Sequence, residues 1–177
     1  MPVFSYAVKF LCGEFDRQLV GEHSRLEGPV KPGNYLTAIN IHNPNGRTVP
    51  LEKRAILLFA GAEPTRQERF EQPVKPAPSL KAELPADWGM EIDCPDIRMQ
   101  LLRGAAPPAP TFIKGWGIIS SPAPLDVVAV YTSHAFGRDG LTEGFALEVD
   151  RVPPSQATLL AARQPSAKAT RKPIRRK

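Results

Sequence analysis

The sequence predicts an all-β domain, an antiparallel β-sandwich of immunoglobulin-like size, with one short helix and a disordered basic C-terminal tail. Three observations predict it. Short apolar runs recur along the chain, several with the period of two that marks a half-buried strand. There are 20 prolines among 177 residues, about twice ordinary usage; they break helices and central strands, so the elements must be short. The charge is segregated. Residues 154–177 hold seven cations, Arg163, Lys168, Arg171, Lys172, Arg175, Arg176 and Lys177, and no acid. Since the whole chain is +5, the remainder is 5 − 7 = −2. The natural division is therefore a β-domain over 1–153 and a tail over 154–177.

The first strand is predicted over Phe4–Cys12, where Tyr6, Val8 and Phe10 alternate with Ser5, Ala7 and Lys9. The polar stretch Gly13–Pro32 reads as a long connection with one extended piece near Gln18–Gly21. Tyr35–His42 is β-branched and aromatic and runs into Asn43-Pro44-Asn45-Gly46, a strong turn signal. Arg54–Ala60 is an apolar run that suits a buried strand, and the Val49-Pro50-Leu51 stretch before it is assigned to a connection. Residues 61–79 are a charged, proline-containing loop with a short helix over Thr65–Phe70.

Ser79–Leu84 is a weak strand, Pro85–Gly89 a turn and Met90–Cys94 a further alternating strand. Pro95 suits a first helical position and Asp96 the first turn, so a turn or two of helix should follow and end by Gly104. Ile97, Gln100 and Leu101 share its predicted inner face. Ala105–Pro110 is a loop. Phe112–Ser120, Leu125–Ser133 and Gly144–Val152 are strong strands, the last closed by Pro153-Pro154. Ser155 is placed to cap a short helix reaching Arg163. Seven to nine strands without long helices suit a sandwich; a closed barrel is the alternative. The last residues contain too few apolar groups to offset the entropy of ordering, which predicts disorder.

The stretches Val8–Gly13, Pro32–Asn43, Glu91–Ile97 and Leu125–Thr132 resemble a group of small uncharacterised bacterial all-β proteins. The resemblance covers about residues 4–153. It implies a bacterial β-domain and brings no assigned activity, cofactor or site residue.

No basic segment leads into a long apolar run and nothing approaches a membrane span, so the expected location is the cytoplasm. There Cys12 and Cys94 would be reduced thiols packed as small apolar groups; in an oxidising compartment one long-range disulfide would join them. Spacings for zinc, phosphate-loop and dinucleotide sites are absent, so no cofactor is expected. Gly115 and Gly117 flank Trp116 inside a strand, where they would allow another segment to approach closely. Trp88, in a turn, is the tryptophan expected to be exposed.

The chain is accordingly expected to be a non-enzymatic protein-interaction or structural module. It would offer a sheet edge or loop rim to a protein partner or to a second copy, while the cations of the tail hold a nucleic acid or another anionic surface without sequence preference. The competing reading is a small-ligand or hydrolytic domain with a loop-rim site at His42, Asp93, Cys94 and His134, which requires these four to converge.

Overall fold

The computed structural model describes residues 3–15, 33–60, 75–103, 106, 109–136 and 142–157. The expected extended piece at 18–21, the helix at 65–70 and the cations from Arg163 onward lie outside the described residues. Within them the protein is mostly β-strand (65%), with one short helix, and its antiparallel sheet curls into a half-barrel.

The strands are β1 (Val3–Phe15), β2 (Gly33–His42), β3 (Val49–Ala60), β4 (Leu80–Leu84) and β5 (Gly89–Ile92), then β6 (Ile113–Ser121), β7 (Asp126–Phe136), β8 (Thr142–Arg151) and β9 (Ser155–Ala157). The main path runs β4-β3-β6-β1-β2-β7-β8; β5 adds to β2 and β9 to β1. β1 belongs to both halves. Phe4–Cys12 pairs with β6, and then Gly13–Phe15 pairs with β2. The change of partner falls at Gly13, whose φ of +102° lies where an L side chain is strained. The two layers are thus halves of one curled sheet sharing a strand.

The alternation read in the sequence sets the core. Tyr6, Val8, Phe10 and Cys12 point inward from β1 and meet Ile39 and Ile41 of β2 and Val127 and Ala129 of β7. Each large side chain removed from water here contributes about 1.5–3 kcal/mol. Gly115 and Gly117 do allow close approach. A Cβ at Gly115 would collide with the Ile56 carbonyl oxygen and lie 2.6 Å from Phe10 Cζ, and one at Gly117 would be 3.1 Å from Ile39 Cδ1.

Several expectations need correction. β3 begins at Val49 rather than Arg54, because Val49–Lys53 pairs with β4. Pro50 is tolerated there because the ladder with β6 starts only at Glu52, so no bond is asked of its missing N–H on that side. The helix is α1 (Cys94–Asp96), capped by the Asp93 carboxylate accepting from the Asp96 N–H at 3.0 Å. It continues as a π-helical turn, Ile97–Leu101. That wider turn buries Ile97, Leu101 and Leu102 together and leaves Gln100 exposed, bonded to Asp96. Ser155 does not cap a helix. It opens β9 opposite Ser5 and donates its hydroxyl to the Ser5 carbonyl at 2.9 Å.

The turn after β2 is built on a buried residue. Asn43 donates its side-chain N–H groups to the carbonyls of Arg47, Leu84 and Pro85, and its oxygen accepts from Asn45. It thereby ties three chain segments together at the end of the half-barrel.

Candidate interaction groove

The two cysteines are bonded. Cys12, on the inner face of β1, reaches Cys94 at the start of α1 with their Cα atoms 5.6 Å apart, inside the range a disulfide can span. The expectation of two reduced thiols is therefore wrong for this structure: the curl of the sheet brings the end of β1 against the chain leaving β5. Thr37 sits at the same junction and donates its N–H to Cys94 Sγ at 3.2 Å.

The four residues of the competing ligand site do not converge. Cys94 is spent in the disulfide and Asp93 in capping α1. His42 and His134 stand at opposite ends of the β2–β7 ladder, His42 opposite Asp126 and His134 opposite Asn34. They are eight residue steps apart along the ladder, about 27 Å. His134 packs edge-on to Phe145, with ring centres 5.1 Å apart.

His42 has other partners. Its Nε2 lies 3.1 Å from an Asp87 oxygen and its Nδ1 3.3 Å from an Asp126 oxygen. The hydrogen bond to Asp87, then that to Asp126, raises its pKa above the usual imidazole value. The trio fastens the β4–β5 turn to the start of β7. Sequence reasoning missed both carboxylates, since only the register of β2 on β7 and the fold of that turn bring them to the ring.

The surface best formed for binding lies along β1. On the side away from β6, β9 covers Val3–Ser5 and β2 covers Gly13–Phe15. Among the described residues no strand lies beside Tyr6–Cys12. The gap has a cause at each end. The β9 register would set Pro153 opposite Ala7, and a Pro-Pro pair lacks the N–H groups to extend the ladder. At the far end the Thr37 hydroxyl accepts from the Leu11 N–H and donates to the Leu11 carbonyl, both at 3.0 Å.

Strand parity then identifies the open groups. Alternate residues send their main-chain groups to the same edge. Leu11 meets Thr37 and Ser5 meets Ser155 on this side, so Ala7 and Lys9, both exposed, direct their N–H and C=O groups into the gap.

A groove of about 460 Å³ opens over this edge. Lys9 and Trp116 stand on one wall and Tyr131, Glu148 and Asp150 on the other. Burial, then Asp150 and Glu148, pushes the Tyr131 phenol above its usual pKa, which keeps its proton available for donation. On β6, opposite Leu11, burial and then Lys9 lower the pKa of the Lys114 ammonium. The carboxylates of Glu148 and Asp150 thus face Lys9 over a row of main-chain donors and acceptors. Trp116 is partly exposed in this groove and Trp88 is 63% exposed in its turn, so neither is a core residue.

Together the fold and groove define a disulfide-linked, curled antiparallel β-domain in which, among the described residues, one edge of β1 has no strand beside it. No family model matches the chain, and no curated protein matches it either. Among solved structures it is similar to a protein of Thermotoga maritima described as Thermotoga maritima 1070. The match has 9% identity and a TM-score of 0.44 and covers 85% of this chain and 91% of that one. Likeness at that level carries no argument about activity. Among the described residues no helix is long and apolar enough to cross a membrane.

Proposed function

We propose that this protein is a non-enzymatic binding module that takes up an extended polypeptide segment along the open edge of β1. The observation that supports this most directly is that Ala7 and Lys9, exposed at the floor of the groove, turn main-chain groups away from β6 to a side where no strand lies among the described residues. A peptide laid there would complete the main-chain pairing, and the side-chain walls would select its sequence, the logic of strand addition. Glu148 and Asp150 lie two residues apart on one face of β8, roughly 7 Å along the strand. Any extended segment has the same spacing between alternate residues, so the favoured ligand carries Lys or Arg at alternate positions. The seven cations at 163–177 would add an electrostatic tether to a polyanion, with affinity falling at a slope of roughly −6 in log salt if all seven neutralise duplex phosphates. The Cys12–Cys94 bond favours an oxidising compartment as the place of action.

The test is selection from a displayed library of random dodecapeptides on the full-length protein. Selected peptides should be rich in alternating Lys and Arg, and N-methylation of alternate peptide amides should abolish binding. Lys9→Pro removes an N–H that points into the gap and leaves the β6 ladder in place, so a folded Lys9→Pro protein should also lose binding. Binding that survives both changes would overturn strand addition.

A further inference from the structure

We propose that the protein pairs with a second copy of itself through β8, edge to edge and antiparallel, centred on Leu147. It uses the outer edge of β8, whereas the groove is lined by the inner-face carboxylates of the same strand, Glu148 and Asp150; the Leu147 variants below probe the edge and leave those carboxylates in place.

β8 is ten residues long and pairs with β7 on one side. Among the described residues no strand lies on its other side, and Gly144–Arg151 is exposed throughout. Its outer face carries Phe145, Leu147 and Val149, exposed to 61%, 58% and 62%. Leu36, 54% exposed, shares that face, because Leu36 pairs with Thr132 and Thr132 with Leu147. Proteins normally guard such a strand with proline, lysine or a bulge. From Thr142 to Asp150 β8 contains neither residue, and the bulge against β7 lies at its far end, by Ala135–Phe136. The charges it does carry in this stretch, Glu148 and Asp150, lie on its inner face, where they restrict which strand and which register can be added beside it.

The pattern of β8 selects the partner and the register. In a symmetric antiparallel pair, residues on the same face must oppose one another, which leaves only registers centred on a residue. Centring on Leu147 sets Leu147 against Leu147 and Phe145 against Val149. On the inner face, Glu148 then meets Ala146 and Asp150 meets Gly144. Centring on Glu148 would bring that carboxylate against its own copy, and centring on Val149 would set Glu148 against Asp150; like charges directly opposite are destabilising. Centring on Ala146 would leave Val149 opposite Glu143. Of these registers only the Leu147 one gives Phe145, Leu147 and Val149 apolar partners and sets Glu148 and Asp150 against small residues. Self-complementarity of this kind is what a two-fold interface requires.

Sedimentation velocity of the full-length protein over a concentration series tests the proposal. The wild type should form dimers. Leu147→Lys, an exposed substitution that places two cations at the dyad, should weaken dimerisation at least tenfold with the circular dichroism spectrum unchanged. Leu36→Lys, on the same face but two strands from the edge, should leave dimerisation within about twofold of wild type. Register is read separately. Leu147→Cys should cross-link to its copy on mild oxidation, whereas Phe145→Cys should not, because its copy lies four residues away, about 14 Å. A monomeric wild type, a dimer indifferent to Leu147→Lys, or cross-linking at 145 in preference to 147 would each overturn the proposal.

Discussion

Removing the Cys12–Cys94 bond should be the most damaging change to this fold that leaves its side-chain packing nearly intact. The cysteines are 82 residues apart in sequence. Closing a loop of that length removes about 4.5 kcal/mol of chain entropy from the unfolded state at 25 °C in the loop-entropy relation. Native disulfides commonly deliver about 2–4 kcal/mol of such a figure. The alanine double variant also strips the Thr37 N–H of its Cys94 Sγ acceptor, about 1 kcal/mol more. The total is therefore roughly 3–5 kcal/mol, a fall in Tm of about 10 °C for a chain of this size. The assay is urea unfolding of the oxidised protein, the reduced protein and Cys12→Ala/Cys94→Ala, with thiol titration of each. The native protein should show no reactive thiol before reduction and two after reduction in urea. A loss below about 1 kcal/mol on reduction would refute the reasoning, since the unfolded chain would then gain no freedom when the bond is cut.

Three further outcomes follow from local geometry. Asn43→Ala should cost about 2–4 kcal/mol in urea unfolding, because the carbonyls of Leu84, Pro85 and Arg47 all lose a donor and unpaired buried groups cost about 1–3 kcal/mol each. Gly115→Ala should destabilise by about 1–3 kcal/mol or more, since its Cβ would meet a backbone oxygen and the Phe10 ring; Gly46→Ala, with open space around it, should change nothing measurable. The contacts of His42 with Asp87 and Asp126 raise its folded pKa above the unfolded 6.5, so their stabilisation is complete below that pH and is lost as pH rises through the folded value. The Tm of wild type minus that of His42→Gln should shrink from about pH 5.5 to about pH 8.5; a difference that grows with pH would contradict the assignment.

Much of the strand framework was legible in the sequence. The alternation of Tyr6, Val8 and Phe10 became the inner face of β1, and Asn43–Gly46 became the turn after β2. Gly115 and Gly117 mark close approach because a missing Cβ is a local signal with a local cause. Other features were misread for want of neighbours. Val49-Pro50-Leu51 looks like a connection until β4 pairs with it, and Ser155 looks like a helix cap until the edge of β1 beside Ser5 is free to receive it. Pro153-Pro154 was legible as the end of a strand, but not as the reason an edge stays open.

The sequence by itself determined where strands form, which side of each is apolar, and how charge divides between the body and residues 163–177, because period, proline content and composition are properties of neighbouring residues. Only the tertiary structure decided that Cys12 meets Cys94, that His42 and His134 stand at opposite ends of one ladder, and that Asp87 and Asp126 reach His42. It alone decided that, among the described residues, no strand lies beside Ala7 and Lys9 or along the outer side of β8. Each of these depends on which strand lies beside which and in what register, and that choice is made by the closing of the whole curled sheet.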